Sequence, residues 1–187
     1  MDAYYYDLDG SRIPLRAAGM VAVDLRVAAR TDVGENTLGT VRREGTELRA
    51  GIVMVDEHTL DAPTTQALDA AGALHPVYRA GDDALVVVLP EVRIEADDDA
   101  QAARVRGLVA AEPASEIVGE TGHRLIARPG SGRGLDALRL ANRVTETIRP
   151  KVAQARLLRV LPRPGPRPGE GGGPEGRGQP SGGGAGP

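Results

Sequence analysis

The sequence predicts an α+β fold, with two units of βαβ–αβ element order in one body and a disordered tail after them. The 187-residue chain is 41% hydrophobic but has no Phe, Trp or Cys, so Val, Leu, Ile and Ala must fill the core. Cores of β-branched residues suit a sheet with helices packed on one face. Strand-like and helix-like patterns recur in the same order over residues 20–80 and 84–160. Of the 27 residues after Val160, 18 are Gly or Pro, which cannot offset the entropy of ordering.

The first unit is predicted over residues 1–82. It opens with an alternation of apolar residues that indicates a half-buried strand, at Val21, Val23, Leu25 and Val27. The elements that follow are a helix over Glu35 to Arg43, a strand over Glu47 to Val55, a helix over Ala62 to Ala71 and a short strand over Ala73 to Arg79. The second of these helices is well marked, because Pro63 lies in its first turn and Gly72 lies just past its end.

The second unit is predicted over residues 83–160. Its elements are a strand over Leu85 to Ala96 interrupted at Pro90, a helix over Asp98 to Ala111, a strand or hairpin over Glu116 to Ala127, a helix over Leu135 to Ile148 and a strand over Lys151 to Val160. The helix over Leu135 to Ile148 has the clearest pattern and ends before Pro150. One face of it is expected to be buried, namely Ala137, Leu140, Val144 and Ile148.

Charge and hydropathy exclude several classes of function. The formal net charge is −3 and the pI is about 5.7, which argues against nucleic-acid binding because that requires a cationic surface. The acidic start of the chain lacks the apolar stretch of a signal peptide, and no apolar run approaches the roughly 20 residues needed to cross a bilayer. We therefore expect a cytoplasmic protein with no membrane partner. Without Cys, disulfides and thiolate chemistry are excluded.

The tail over residues 161–187 is expected to be disordered. Pro162, Pro164, Pro166 and Pro168 alternate with other residues, which favours an extended polyproline II conformation before the Gly-rich end. Such a segment can act as a ligand for SH3-type domains, as a tether or as a plain linker, and the linker is favoured.

No catalytic centre is expected. No nucleophile motif surrounds any serine, and the chain is therefore predicted not to be an enzyme. His123 follows a glycine turn and is interpreted as a surface residue of a hairpin. His75 precedes Pro76 and is interpreted as an extended residue at a strand edge.

No metal or cofactor is expected either. Asp56, Glu57, His58 and Asp61 could form a carboxylate–imidazole site, but a polar loop in which Asp61 caps the following helix is the favoured interpretation. Residues 97–99, all Asp, are interpreted as an acidic helix start. The run from Gly130 to Gly134 could cradle a phosphate, but it lacks the end of a P-loop and is interpreted as a turn.

Several short segments together resemble a known family. They are the start at Tyr4-Tyr5-Tyr6 with Gly10-Ser11-Arg12-Ile13-Pro14-Leu15, then Pro76-Val77-Tyr78-Arg79, the strand Leu85 to Ile94, Gly122-His123-Arg124-Leu125 and the run from Asp136 to Arg143. These segments resemble the propeptide-like N-terminal region that precedes the catalytic domain in bacterial subtilisin-family serine peptidases. The resemblance covers residues 4–160, and the Asp, His and Ser motifs of the protease domain are absent from this chain.

The resemblance implies ferredoxin-like, propeptide-like units that dock on a subtilisin-like serine peptidase, assist its folding and block its cleft. The segment expected to enter that cleft follows the last strand and can pair with the partner as an added strand. Its residues are Ala155, Arg156, Leu157, Leu158, Arg159, Val160, Leu161 and Pro162. The alternatives are an adaptor or scaffold tethered by its tail, and a truncated remnant of a peptidase gene.

Overall fold

Strands and short helices alternate along the chain, and the strands join in one sheet. The computed structural model describes residues 3–30, 33–49 and 51–160. The first group of elements is β1 (Ala3–Tyr6), β2 (Arg12–Asp24), α1 (Leu25–Ala28), α2 (Glu35–Glu44), β3 (Thr46–Arg49), β4 (Ile52–Asp56), α3 (Ala62–Ala70) and β5 (Leu74–Arg79). The second group is β6 (Leu85–Glu95), α4 (Asp99–Ala111), β7 (Glu116–Thr121), β8 (Arg124–Arg128), α5 (Gly134–Ile148) and β9 (Val152–Val160). The predicted tail over 161–187 lies outside the described residues.

The same strand order occurs twice in the sheet. The path β3-β4-β2-β5 continues as β6-β8-β7, and β9 pairs with the other side of β6. Along the chain, each half therefore has the element order strand, helix, strand, strand, helix, strand. In the sheet, the first strand of each half lies between its third and fourth strands. All of these pairings are antiparallel. The α+β class and the common order of the two halves are as predicted, and a β5–β6 hairpin makes the sheet continuous.

Two elements of the first half differ from the prediction. The opening strand begins at Arg12 and ends at Asp24, so Leu25 and Val27 lie in α1 and not in a strand. The Asp24 side chain causes this ending, because it accepts a hydrogen bond from the Arg26 N–H and caps the helix. The predicted strand over Glu47 to Val55 is a hairpin of β3 and β4, which turns at Gly51 with a φ of 81°.

The second half follows the prediction closely. α4 is capped by Asp98, whose carboxylate accepts from the Gln101 N–H, while the Gln101 side chain accepts from the Asp97 N–H. The segment over Glu116 to Ala127 is a hairpin that turns at Gly122, which has a φ of 56°. All four residues expected on the apolar face of α5 are buried, namely Ala137, Leu140, Val144 and Ile148.

Both long strands contain a bulge at the corresponding place. In β2, residues 18–20 lie opposite Val77 alone, since Ala17 pairs with Tyr78 and Val21 with Pro76. In β6, residues 89–91 lie opposite Arg156 alone, since Val88 pairs with Leu157 and Val92 with Ala155. The interruption predicted at Pro90 is this bulge, where a residue without an N–H removes no ladder hydrogen bond.

Aliphatic side chains fill three clusters around the sheet. One lies under α2 and α3, and a second, larger one lies under α4 and α5. The third lies on the opposite face of the sheet and joins the two halves through Ile52, Met54, Val77, Val87 and Leu89. No helix in the described part of the chain is both long and apolar enough to cross a membrane.

The N-terminal hairpin of β1 and β2 wraps against α5. Tyr5 is buried in the cluster under α5, while Tyr4 and Tyr6 both donate their hydroxyl groups to Glu146, at 2.7 and 2.9 Å. Asn142 of α5 donates to the backbone carbonyl of Tyr4 at 2.8 Å. Tyr5 therefore packs into the core, while Tyr4 and Tyr6 hold the hairpin on α5 through Glu146.

Candidate binding sites

The segment predicted to bind a partner belongs mostly to the last strand. Residues 155–160 form part of β9 and pair with β6, so the expectation that they follow the last strand is wrong. The strand predicted over Lys151 to Val160 is confirmed as β9, apart from its first residue, and the candidate segment is part of it. Leu161 and Pro162 lie outside the described residues.

β9 lies at a border of the sheet. Among the described strands it pairs only with β6. Its other side faces β1, where the Gln154 side chain donates to the Tyr6 carbonyl at 3.1 Å. Leu157 packs on the cluster under α5 and Leu158 packs on the opposite cluster, so both leucines also contribute to the fold. The exposed side chains of this segment are Arg156 and Arg159.

A second candidate site surrounds His75. This residue is extended in β5, as predicted, and at this position β5 pairs with β2 alone. The ladder from β5 to β6 covers only Val77 to Arg79, so Pro76 lies just beyond its end. Because proline has no N–H, no backbone donor is left unpaired there. The His75 side chain is 2% exposed, and its Nδ1 atom is buried without a hydrogen-bond partner. Burial lowers the pKa of His75, and the nearby Asp24 carboxylate opposes that shift.

The cavity next to His75 opens where β6 changes its neighbour. On one side, β6 pairs with β5 as far as Val87 and with β8 from Val92 onward. The bulge at 89–91 lies between these two ladders. The resulting inter-unit cleft has a volume of about 580 Å³. Its polar wall is formed by Asp24, Arg26, Arg49, His75, Glu91, Arg128 and Arg156.

Two carboxylates in the inter-unit cleft are bound by arginines. Asp24 is 8% exposed and accepts from Arg26 at 2.8 Å. Glu91 accepts from Arg128 at 2.8 Å and from Arg156 at 2.7 Å. Burial would raise the pKa of both carboxyl groups, but the arginine hydrogen bonds outweigh it and hold each pKa below its usual value. Both groups are therefore ionised at neutral pH.

The polar loops considered as metal sites serve to cap helices. Asp56 accepts from the His58 N–H at 2.9 Å, and Asp61 accepts from the Thr64 N–H at 2.8 Å, so the predicted capping role of Asp61 is confirmed. Within the described ranges, no group of three or more His, Asp or Glu residues is arranged to hold a metal ion. His123 lies in the turn between β7 and β8, as predicted, with its Nε2 atom 3.1 Å from Asp99.

The glycine-rich run before α5 joins the two halves of the molecule. Arg133 forms an ion pair with Asp69 of α3, and the Gly132 backbone lies against Gly72. Ser131 donates to Asp136 at 2.8 Å. The interpretation of the run as a turn is confirmed, since the Gly132 N–H donates to the Pro129 carbonyl at 3.0 Å. Gly134 is the first residue of α5 and touches the Val88 carbonyl, so this turn is also packed against the sheet.

The inter-unit cleft could not be identified from local sequence patterns. His75, Glu91 and Arg156 lie on three different strands, and only the strand order brings them together. Pro90 was the one available signal, because a proline inside an apolar strand marks a bulge. The chain matches no protein-family model, and no curated protein and no solved structure was found to be similar to it.

Proposed function

We propose that the chain is a non-enzymatic binding module made of two ferredoxin-like units, and that its partner is a subtilisin-like serine peptidase. The strand order within each half supports the ferredoxin-like assignment, because a strand–helix–strand pair with a third strand inserted between its strands is characteristic of that fold. The short segments that resemble peptidase propeptides support the choice of partner.

The observation that carries the proposal is the one-sided pairing of β9. In a strand paired on one side, alternate N–H and C=O groups point away from the partner strand and can accept an extended peptide. β9 has β6 on one side only among the described strands, and it runs to Val160, the last described residue. A peptidase cleft that binds substrates in an extended conformation can pair with such an edge.

The side chains of β9 limit where a partner can bind. Gln154 bridges to the β1 backbone, and the Arg159 side chain donates to the Tyr5 hydroxyl at 3.5 Å, so the part of the edge proposed to pair with a partner is the backbone from Leu157 to Val160. Arg159 is exposed and forms an ion pair with Asp82 at 3.4 Å, which places one positive charge beside this stretch. An exposed pair of this kind contributes little to stability, so the arginine can change partners at small cost.

Proline substitutions in β9 test this proposal. N–H groups alternate in direction, so one of Arg159→Pro and Val160→Pro removes an N–H bonded to β6 and the other removes an N–H that faces away. The variant whose thermal midpoint equals that of the wild type is the one whose missing N–H faced away from β6, because it lost no ladder hydrogen bond. The measurement is inhibition of peptide hydrolysis by a purified subtilisin-family peptidase encoded in the same genome. We expect the wild type to inhibit and this variant to lose about tenfold in affinity, about 1.4 kcal/mol.

Alanine provides the matched control. Arg159→Ala and Val160→Ala keep the N–H groups, so each proline variant is compared with the alanine variant at the same position, and we expect Val160→Ala to inhibit as the wild type does. Equal inhibition by the stable proline variant would exclude pairing through β9. No inhibition by the wild type would exclude the peptidase as partner and would favour the adaptor function.

A further inference from the structure

We propose that the inter-unit cleft binds a small organic anion through its carboxylate or phosphate group. The cleft is built by both halves of the molecule, with His75 and Asp24 from the first half and Glu91, Arg128 and Arg156 from the second. Its volume of about 580 Å³ lies in the range of clefts that bind small molecules, roughly 300–1,000 Å³.

The charge balance of the inter-unit cleft favours an anion. Four arginine side chains and two carboxylates line it, which leaves two positive charges when His75 is neutral. This excess is local, because the whole chain carries a net charge of −3. Neighbouring guanidinium groups in a recess concentrate positive potential, and oxyanions accept from them with good geometry.

The arginines of the inter-unit cleft have donors left for a ligand. A guanidinium carries five N–H donors, and Glu91 accepts one hydrogen bond from Arg128 and one from Arg156. The side chains of these two arginines remain 45% and 50% exposed. Arg49, which also lines the cleft, forms no ion pair or side-chain hydrogen bond with any described residue. The anion would be bound by Arg49 together with the two arginines on Glu91.

The other walls suit the organic part of such a ligand and its orientation. Val27, Ile52, Leu89 and Pro90 supply apolar surface. The buried His75 ring adds a polar atom whose hydrogen bond is unmade, and a buried group of that kind is rare enough in folded proteins to suggest a missing partner. A ligand oxygen, or a water held by the ligand, would satisfy it.

The test is a titration of the full chain with two probes, sodium phosphate and sodium succinate, against sodium chloride at matched ionic strength. Binding is followed by calorimetry and by the NMR signals of the His75 ring. We expect saturable binding of at least one probe, with a shift of the His75 signals that chloride does not produce. Binding of phosphate alone, succinate alone or both would each support the proposal and identify the anionic group.

Variants of exposed arginines make the test specific. Arg49→Gln should weaken binding about tenfold, because it removes one charge-assisted hydrogen bond at an exposed position that does not hold the fold. Arg104→Gln, on the outer face of α4, is the matched control and should leave affinity unchanged. Glu91→Gln should tighten binding, because it removes the competing carboxylate.

Three results would overturn the proposal. The first is the absence of saturable binding of either probe below about 10 mM. The second is an equal loss of affinity in the Arg49 and Arg104 variants, which would indicate unspecific attraction. The third is saturation without movement of the His75 signals, which would place the anion elsewhere. Because the test uses small anions and no peptidase, its outcome is separate from that of the β9 experiment.

Discussion

Gly134→Ala should lower the free energy of unfolding through a steric clash, although alanine has the higher helix propensity. Gly134 is the first residue of α5 and is buried against β6. A Cβ atom there would lie 1.9 Å from the Val88 carbonyl oxygen and 2.8 Å from its carbonyl carbon. Both of these atoms are backbone, so no side-chain rotation can relieve the contact. Either α5 or the centre of β6 must move.

The expected cost follows from what such a movement disrupts. Val88 lies in the cluster under α5, together with Ala137 and Leu138 of the helix, and all three are buried. Overpacking of a well-packed core costs about 1–3 kcal/mol. We expect Gly134→Ala to reach the upper end, about 3 kcal/mol, because a rigid ladder opposes the added atom. That is a large part of a total stability of about 5–15 kcal/mol.

Gly107→Ala is the control with the same chemistry. Gly107 lies inside α4, and a Cβ atom there would meet nothing within 4 Å. Replacing an exposed helix glycine by alanine should stabilise the chain by about 0.5–1 kcal/mol. The two substitutions should therefore change the free energy of unfolding in opposite directions.

Urea unfolding followed by far-UV circular dichroism measures both variants, since the chain has no Trp for fluorescence. Gly107→Ala should also raise the thermal midpoint by about 2–4 °C per kcal/mol. A Gly134→Ala variant within about 0.5 kcal/mol of the wild type would refute the backbone contact. Equal destabilisation of both variants would refute the claim that a Cβ atom has room at Gly107 and none at Gly134.

Three other perturbations should have defined effects. Leu140→Ala should cost about 2–5 kcal/mol in urea unfolding because it opens a cavity under α5, whereas Arg139→Ala on the exposed face should stay within about 0.5 kcal/mol. Asp98→Ala should cost about 1 kcal/mol by removing the cap of α4, and equal stability would show the cap to be dispensable. Burial lowers the pKa of His75 below its ordinary 6.5, so the unfolded chain takes up this proton first as pH falls. Stability should therefore decline from about pH 6.5 downward, and His75→Gln should remove that decline; an unchanged slope in the variant would contradict it.

The sequence predicts the elements whose ends are marked by local chemistry. α3 has Pro63 near its start and Gly72 after it, and α4 begins at an acidic cap, so both helices are predicted to within one or two residues. The hairpin of β3 and β4 is missed because apolar residues continue across Gly51 with no strong turn pair. The end of β2 is missed because Leu25 and Val27 continue its alternation while the Asp24 cap starts a helix.

The candidate sites are predictable to different degrees. Residues 155–160 are correctly placed in an extended conformation, but only the sheet shows that they form a ladder with β6. The burial of His75 could not be predicted, because Pro76 is compatible with an edge strand and with the end of an internal ladder. Local patterns contain no information on which distant residues meet across a sheet that is ordered by two crossovers in each half.

The repeated order of the two halves supplies an internal comparison for the inter-unit cleft. β2 changes its neighbour from β1 to β4 at its own bulge, as β6 changes from β5 to β8. In the first half, Gly19 and Met20 occupy the places that Pro90 and Glu91 have in the second. Val77 lies opposite the first bulge and Arg156 opposite the second.

The two bulges differ in their side chains, and this difference distinguishes what the strand topology requires from what is specific to the inter-unit cleft. A bulge at the change of neighbour is present in both halves, so the fold accounts for it without any ligand. An ionised carboxylate held between two arginines is present only at the second bulge, where the first has Met20 and Val77. Ion pairs as exposed as these, with Arg128 and Arg156 about half exposed, contribute little to stability. The charged residues of the second bulge are therefore better explained by what the inter-unit cleft binds than by the needs of the sheet.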